Sequence, residues 1–315
     1  MKKQTATLIA LLSLVIAITV GCGNTSVPHF SKVAFISNRT VTPPTPLFVS
    51  NLDGTNVTPI PFSSTNVYYP SISADFKKVV FYSQNNIWIE NADGSGQAQL
   101  TTTGKAGYAR ISPNGKKVVY ADYTTSTYHF WIINADGSGN LDLTATLPTG
   151  MTGCFSGTFS PNSALVAFAC YGSGTYGLYT VKTDGTGIKT ITTQSNWVDL
   201  PSFTPDGKKL VYIGYVVPGA TAHRLSFQHR PVMNSAQSAQ SASTFGVASI
   251  NIDGTGATLL VANSYEAVIL NSTLYYTHYD STLGLNQVYK ANLDGTNPVS
   301  ISDGTSNDYL GQSSD

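Results

Sequence analysis

Three features of the sequence predict an all-β fold, a six-bladed β-propeller of four-stranded antiparallel blades. One turn unit recurs six times, as FVSNLDGTN (48–56), WIENADGSG (88–96), WIINADGSG (131–139), YTVKTDGTG (179–187), ASINIDGTG (248–256) and YKANLDGTN (289–297). Its aspartates, Asp53, Asp93, Asp136, Asp184, Asp253 and Asp294, stand 40, 43, 48, 69 and 41 residues apart, and a period of about 40–45 is that of one propeller blade. Charged residues make up only 11% of the chain, against about 25% in ordinary soluble domains, while Tyr, Thr, Ser, Gly and Asn abound. A chain of 315 residues is long enough to bury a large core, and all-β folds of this size often stay single.

The elements follow in order. Met1, Lys2 and Lys3 precede a nearly charge-free apolar run from Ala6 to Val20, the layout of a secretory signal over residues 1–21. The run ends Thr19-Val20-Gly21-Cys22, which resembles a bacterial lipobox, with Thr19 standing where that family prefers Leu. The resemblance implies lipidation of Cys22 and export to the envelope, periplasmic or cell-surface. With Gly23 after the cysteine, it implies the outer membrane in a Gram-negative cell. A plain signal peptide is the other reading. Residues 22–30 read as a tether, and the propeller is expected over 31–315.

Within the propeller, PSFTPDGKKLVYIG (201–214) illustrates one hairpin: a short strand, a turn at Pro205-Asp206-Gly207, and a second strand rich in aromatic and β-branched residues. PSISADFKKVVFYS (70–83), ARISPNGKKVVYAD (109–122) and GTFSPNSALVAFAC (157–170) are its relatives. The third strand leads into the Asp-Gly turn, where Gly takes φ > 0 freely and Asp bonds its own backbone. The fourth, such as KTITT (189–193), lies outermost. SKVAFISN (31–38) is a second strand with no first strand directly before it, so residues 306–312 are expected to complete blade one beside Val33–Ile36. The 69-residue step holds an insertion over about 216–244 that splits blade five between its second and third strands. His223, Arg224, His229 and Arg230 form a basic cluster in it. The insertion reads either as a partner- or anion-binding loop or as a solvated extension.

These units resemble the TolB-like propellers, whose repeat runs S-P-D-G-K-K, strand, strand, D-G, strand, and the match runs from Lys32 to the C-terminus. The resemblance implies a non-catalytic envelope lipoprotein that holds a protein or peptide partner. TolB proper carries an N-terminal α/β domain ahead of its ring, whereas here the tether alone is expected there, which argues against TolB's role in the Tol–Pal system. The alternative is a carbohydrate-binding or carbohydrate-active propeller with its site in the central channel.

Candidate sites are few. Cys154 and Cys170 flank the Pro161-Asn162-Ser163 turn at opposed positions, about 4.5–5.5 Å apart at Cα, and read as a disulfide or as two buried thiols. Aligning the innermost strands sets Ser71, Arg110, Thr158, Ser202, Glu266 and Gly311 in one row, with Tyr68, Asp199 and Asp308 one step nearer the mouth. Arg110 and Glu266 are then expected to face one another across the channel, as a ligand site or as solvated charges. No G-x-S-x-G, H-E-x-x-H, phosphate loop or C-x-x-C occurs. The five histidines are expected at surface or inter-blade positions, and the repeated aspartates in turns, so no enzyme activity, metal or cofactor is expected. Lys plus Arg equals Asp plus Glu at 17 each, which excludes wrapping of nucleic acid. A monomer is expected.

Overall fold

A computed structural model describes residues 13–15, 32–36, 47–51, 55–64, 67–124, 127–147, 150–216, 244–270 and 272–302. They form six separate four-stranded antiparallel sheets. Blade one holds Ser13–Val15, Lys32–Ile36, Leu47–Asn51 and Thr58–Pro59; blade two holds Tyr68–Ile72, Lys78–Ser83, Asn86–Asn91 and Ala98–Gln99. Blade three holds Ala106–Ile111, Lys117–Asp122, His129–Asn134 and Leu141–Asp142; blade four holds Gly153–Phe159, Leu165–Gly172, Thr175–Lys182 and Lys189–Gln194. Blade five holds Val198–Phe203, Lys209–Val216, Thr244–Asn251 and Thr258–Ala262, and blade six Ser264–Leu270, Thr273–Asp280, Leu285–Asn292 and Val299–Ser300.

Strands pair in chain order within each sheet, so every blade has two ends. The first-to-second and third-to-fourth connections share one, the turn end. The second-to-third connections and the entry to the first strand share the other, the mouth end. From blade two to blade six, first strands of successive blades touch one another. They therefore form the inner wall of the ring.

Packing explains why the blades are wedges and not one sheet. Five hydrophobic clusters each bridge two consecutive blades. Between blades three and four lie Val119, Phe130, Ile132, Phe168 and Tyr179, every one at most 1% exposed. Gly157 lets those two blades approach closely, since a Cβ built there would overlap the tip of the Phe130 ring. Ladders of alternating residues supply one face to each neighbour, which is what half-buried strands of period two provide.

The turn end repeats with little variation. Asp93, Asp136, Asp184, Asp253 and Asp294 each accept hydrogen bonds from the N–H and hydroxyl of the Ser or Thr two residues on, at 2.5–3.0 Å. The next residues, Gly94, Gly137, Gly185, Gly254 and Gly295, sit at φ 82–88°, a region open to Gly. Asp53 lies outside the described residues. The first hairpins use a parallel device, with the Ser73, Ser112, Ser160 and Thr204 hydroxyls donating to Asp75, Asn114, Asn162 and Asp206.

Two expectations change here. The place beside Lys32–Ile36 is held by Ser13–Val15, with Ser13 opposite Ile36 and Val15 opposite Ala34. An apolar segment meets an unpaired edge and completes its ladder. Residues 306–312, expected there, lie outside the described residues. In blade six, Glu266 pairs with Thr277 and Val268 with Tyr275, so Val268, not Glu266, is the counterpart of Arg110. The cause is the hairpin: Ile269 pairs with Leu274 across four residues, whereas the equivalent pair Ile72 and Val79 spans a six-residue Asp-containing turn. Two fewer residues in the turn shift the strand by two.

Candidate functional site

The mouth end is where the blades differ. In blades two to five the first strand carries a register shift near its start, and one non-glycine residue in each shift has a left-handed backbone: Tyr69 (φ 49°), Tyr108 (53°), Ser156 (53°) and Leu200 (52°). Such a bulge re-aims a side chain at a rim, and holding a bulky residue there costs about 1 kcal/mol or more. Pro70 and Pro201 follow two of these positions.

Two of these strained residues, Tyr69 and Tyr108, belong to an arc of six tyrosines. Ring centroids follow one another as Tyr68 to Tyr82 at 6.2 Å, Tyr82 to Tyr69 at 6.5 Å, Tyr69 to Tyr108 at 5.6 Å, Tyr108 to Tyr123 at 6.2 Å and Tyr123 to Tyr128 at 4.8 Å. Four of the six are large exposed surfaces, with Tyr68, Tyr69, Tyr108 and Tyr128 at 38–46%. Five of them line a cavity of about 430 Å³ between blades two and three, together with Asn85 and Lys105. Asn85 sits in a two-residue hairpin whose members Gln84 and Asn85 both have φ > 0, the turn that matches strand twist. The Tyr82 hydroxyl donates to Asn85 Oδ1 at 2.6 Å. Tyr123 packs against Gly107; its hydroxyl is buried and unpartnered among the described residues, and burial pushes its pKa well up.

Three ionisable side chains, Asp199, Arg110 and Glu266, stand on the first strands. Asp199, only 8% exposed, has its pKa pushed up to about 6 by burial, against the opposing pull of hydrogen bonds from the Leu200 N–H and Ser156. The Arg110 guanidinium donates to the Ala109 carbonyl at 3.1 Å, and burial lowers its pKa. Glu266 accepts from Thr277 at 3.0 Å. Tyr68, Asp199 and Glu266 thus occupy one row, opposite Tyr82, Ile213 and Thr277, with Arg110 one step deeper. Asp308 and Gly311 lie outside the described residues, as do His223, Arg224, His229, Arg230 and Cys22. The insertion does leave from the mouth end, because Val216 pairs directly with Thr244.

Cys154 and Cys170 are opposed in the first hairpin of blade four and joined by a disulfide. His129, expected to be a plain surface or inter-blade residue, has partners on both nitrogens: Thr127 at 2.9 Å on Nε2 and Asp142 at 2.7 Å on Nδ1. Hydroxyl, imidazole and carboxylate in that order also make a proton relay. Here Asp142 simultaneously accepts from the Thr144 N–H and hydroxyl, and neither Thr127 nor His129 lines the cavity. The group clasps the short outer strand Leu141–Asp142 to its neighbour. Among the described residues, no three His, Cys, Asp or Glu side chains converge as a metal site.

By sequence, no family model and no curated protein matches the chain. By structure, it is similar to TolB from Acinetobacter baumannii (15% identity, TM-score 0.58, 84% of this chain and 62% of that one) and to a TolB homologue from Agrobacterium tumefaciens (15%, 0.55, 78% and 84%). The chain therefore spans less than two thirds of the Acinetobacter protein. It is also similar to the β-propeller domain of the Trilobed protease from Pyrococcus furiosus, which has an open velcro topology (12%, 0.55, 93% and 86%). At these identities the likeness is one of fold, and this fold serves unrelated tasks. Six antiparallel four-stranded sheets in chain order, shared with these proteins, make the chain a TolB-like six-bladed β-propeller in architecture.

Proposed function

We propose that this chain is a non-catalytic, exported propeller that holds a protein partner on its mouth end, anchored to the membrane by lipid on Cys22. The observation that carries this reading is the arc of exposed tyrosines, two of which stand on strained bulges. Tyrosines are the side chains that anchor protein interfaces, giving large contact area at little loss of conformational freedom. Strain held at a rim by the surrounding sheet is a mark of a functional surface. The N-terminal layout supports export, and the TolB-like architecture agrees with a scaffold.

In this reading the leader is removed before Cys22, so Ser13–Val15 leaves blade one and residues 306–312 take its place beside Lys32–Ile36. The insertion leaving from the same end as the tyrosine arc adds its basic cluster to the partner surface.

Capture of partners from detergent-solubilised envelope tests the reading. We expect the intact protein to retain a partner that the Tyr69→Ala/Tyr108→Ala double variant loses, and a form lacking 217–243 to retain it more weakly. Equal recovery by all three forms overturns the mouth as the binding face. Labelling with radioactive palmitate should mark the wild type and not Cys22→Ser.

A further inference from the structure

We propose that the tyrosine arc over blades two and three receives a proline-rich segment in the extended polyproline helix, presented by the protein partner. This deepens the scaffold reading and rests on it. Three observations on the cavity select that chemistry.

The first is its hydrogen-bonding inventory. The lining contains one cation, Lys105, and no carboxylate. Its polar side chains can all donate: the Lys105 ammonium, the Asn85 amide, whose oxygen already takes the Tyr82 hydroxyl, and the tyrosine hydroxyls, which accept as well. The buried hydroxyl of Tyr123 has no partner among the described residues. A proline-rich strand is the complement, because it has carbonyl acceptors with no intramolecular partners and few N–H groups of its own. A basic segment needs carboxylates, and this lining has none.

Ring geometry is the second. Successive rings on the arc are inclined by 60°, 57°, 32°, 74° and 78°. They make notches and not the flat platform on which a pyranose stacks. Aromatic-lined notches are what polyproline recognition uses. The third is spacing: rings follow at 4.8–6.5 Å, and a polyproline helix rises about 3.1 Å per residue, so a docked strand meets a new ring about every second residue. Because that helix is already extended when free, little order is lost on docking.

The test is calorimetric titration of the full chain with synthetic decaproline, with a Gly-Ser peptide of equal length and with cellohexaose. We expect saturable binding of decaproline alone, weakened about tenfold or more in Tyr69→Ala and in Tyr108→Ala, as for anchor residues of an interface. Tyr123→Phe, which keeps the ring and deletes the donor, should weaken it several-fold. Tyr279→Ala, exposed on blade six, should leave it unchanged, and unaltered melting of each variant shows that the fold is intact. The proposal is overturned if decaproline does not bind, if Tyr279→Ala loses as much as the arc variants, or if cellohexaose binds in its place. Tyrosine-dependent capture of an envelope partner without decaproline binding would leave the scaffold and remove the proline-rich ligand; failure of both would remove both.

Discussion

At the turn end, five blades repeat one arrangement to within a few degrees and a few tenths of an ångström. At the mouth end, a tyrosine, another tyrosine, a serine and a leucine occupy the same strained bulge in successive blades. The backbone is repeated at both ends; the side chains are repeated only at one. Uniform turns close hairpins and nothing more, so the same residues serve every blade. Where the backbone recurs while the side chains diverge, the scaffold is constant and the surface it presents has been specialised.

The seam of the ring bears hardest on this contrast. Starting the chain at Cys22 should leave the melting temperature nearly unchanged when residues 306–315 are present and lower it markedly when they are removed. If losing residues 1–21 alone produces the drop, Ser13–Val15 is the closing strand of the working protein. Mouth-end covalent support comes next. Removing the disulfide by Cys154→Ala/Cys170→Ala opens a loop with a sequence separation of 16 and should cost about 3 kcal/mol, read from urea midpoints. Close behind is Gly157→Ala, whose new methyl drives into the Phe130 ring; overpacking of this kind costs about 1–3 kcal/mol.

Titration separates the ends by sign. Asp199 has a folded pKa near 6 and an unfolded one of about 3.9. Between about pH 4 and 6 the folded chain therefore holds the extra proton, and stability falls as pH rises through that window. Asp199→Asn should abolish that slope and raise stability at pH 7 by up to about 3 kcal/mol. The turn aspartates behave oppositely. Hydrogen bonds from Ser or Thr hold Asp93, Asp136, Asp184, Asp253 and Asp294 below the usual carboxylate range. Their support is present above about pH 4 and lost only in stronger acid. The smallest effect is Gly137→Ala, where φ is 85° and a Cβ meets nothing closer than 4.0 Å. Backbone strain alone should cost about 1 kcal/mol.

The legibility of the two ends differs in the same way. Asp-Gly turns, Ser-to-Asp hairpins and the facing cysteines are set by residues close in sequence, so spacing alone locates them. Blade six departs because its hairpin turn is two residues shorter and lacks the Asp-containing loop, and an alignment that assumes the loop moves Glu266 by two positions. The tyrosine arc was hidden for another reason. Tyr69 and Tyr108 meet only because two blades pack side by side, and nothing in either segment encodes that neighbour. Tyr69-Pro70 and Leu200-Pro201 did carry a local trace of the bulge. His129 found Asp142 across the outer edge of blade three, a pairing fixed by register and invisible to motif.

The cores also join neighbours two at a time. An assembly of this kind loses order one junction after another, so amide exchange should be slowest in blades two to five, which clusters flank on both sides, and fastest in blades one and six. Loosening would then reach the blade-two side of the tyrosine arc before its blade-three side, and grip would fade there while the centre of the molecule still held.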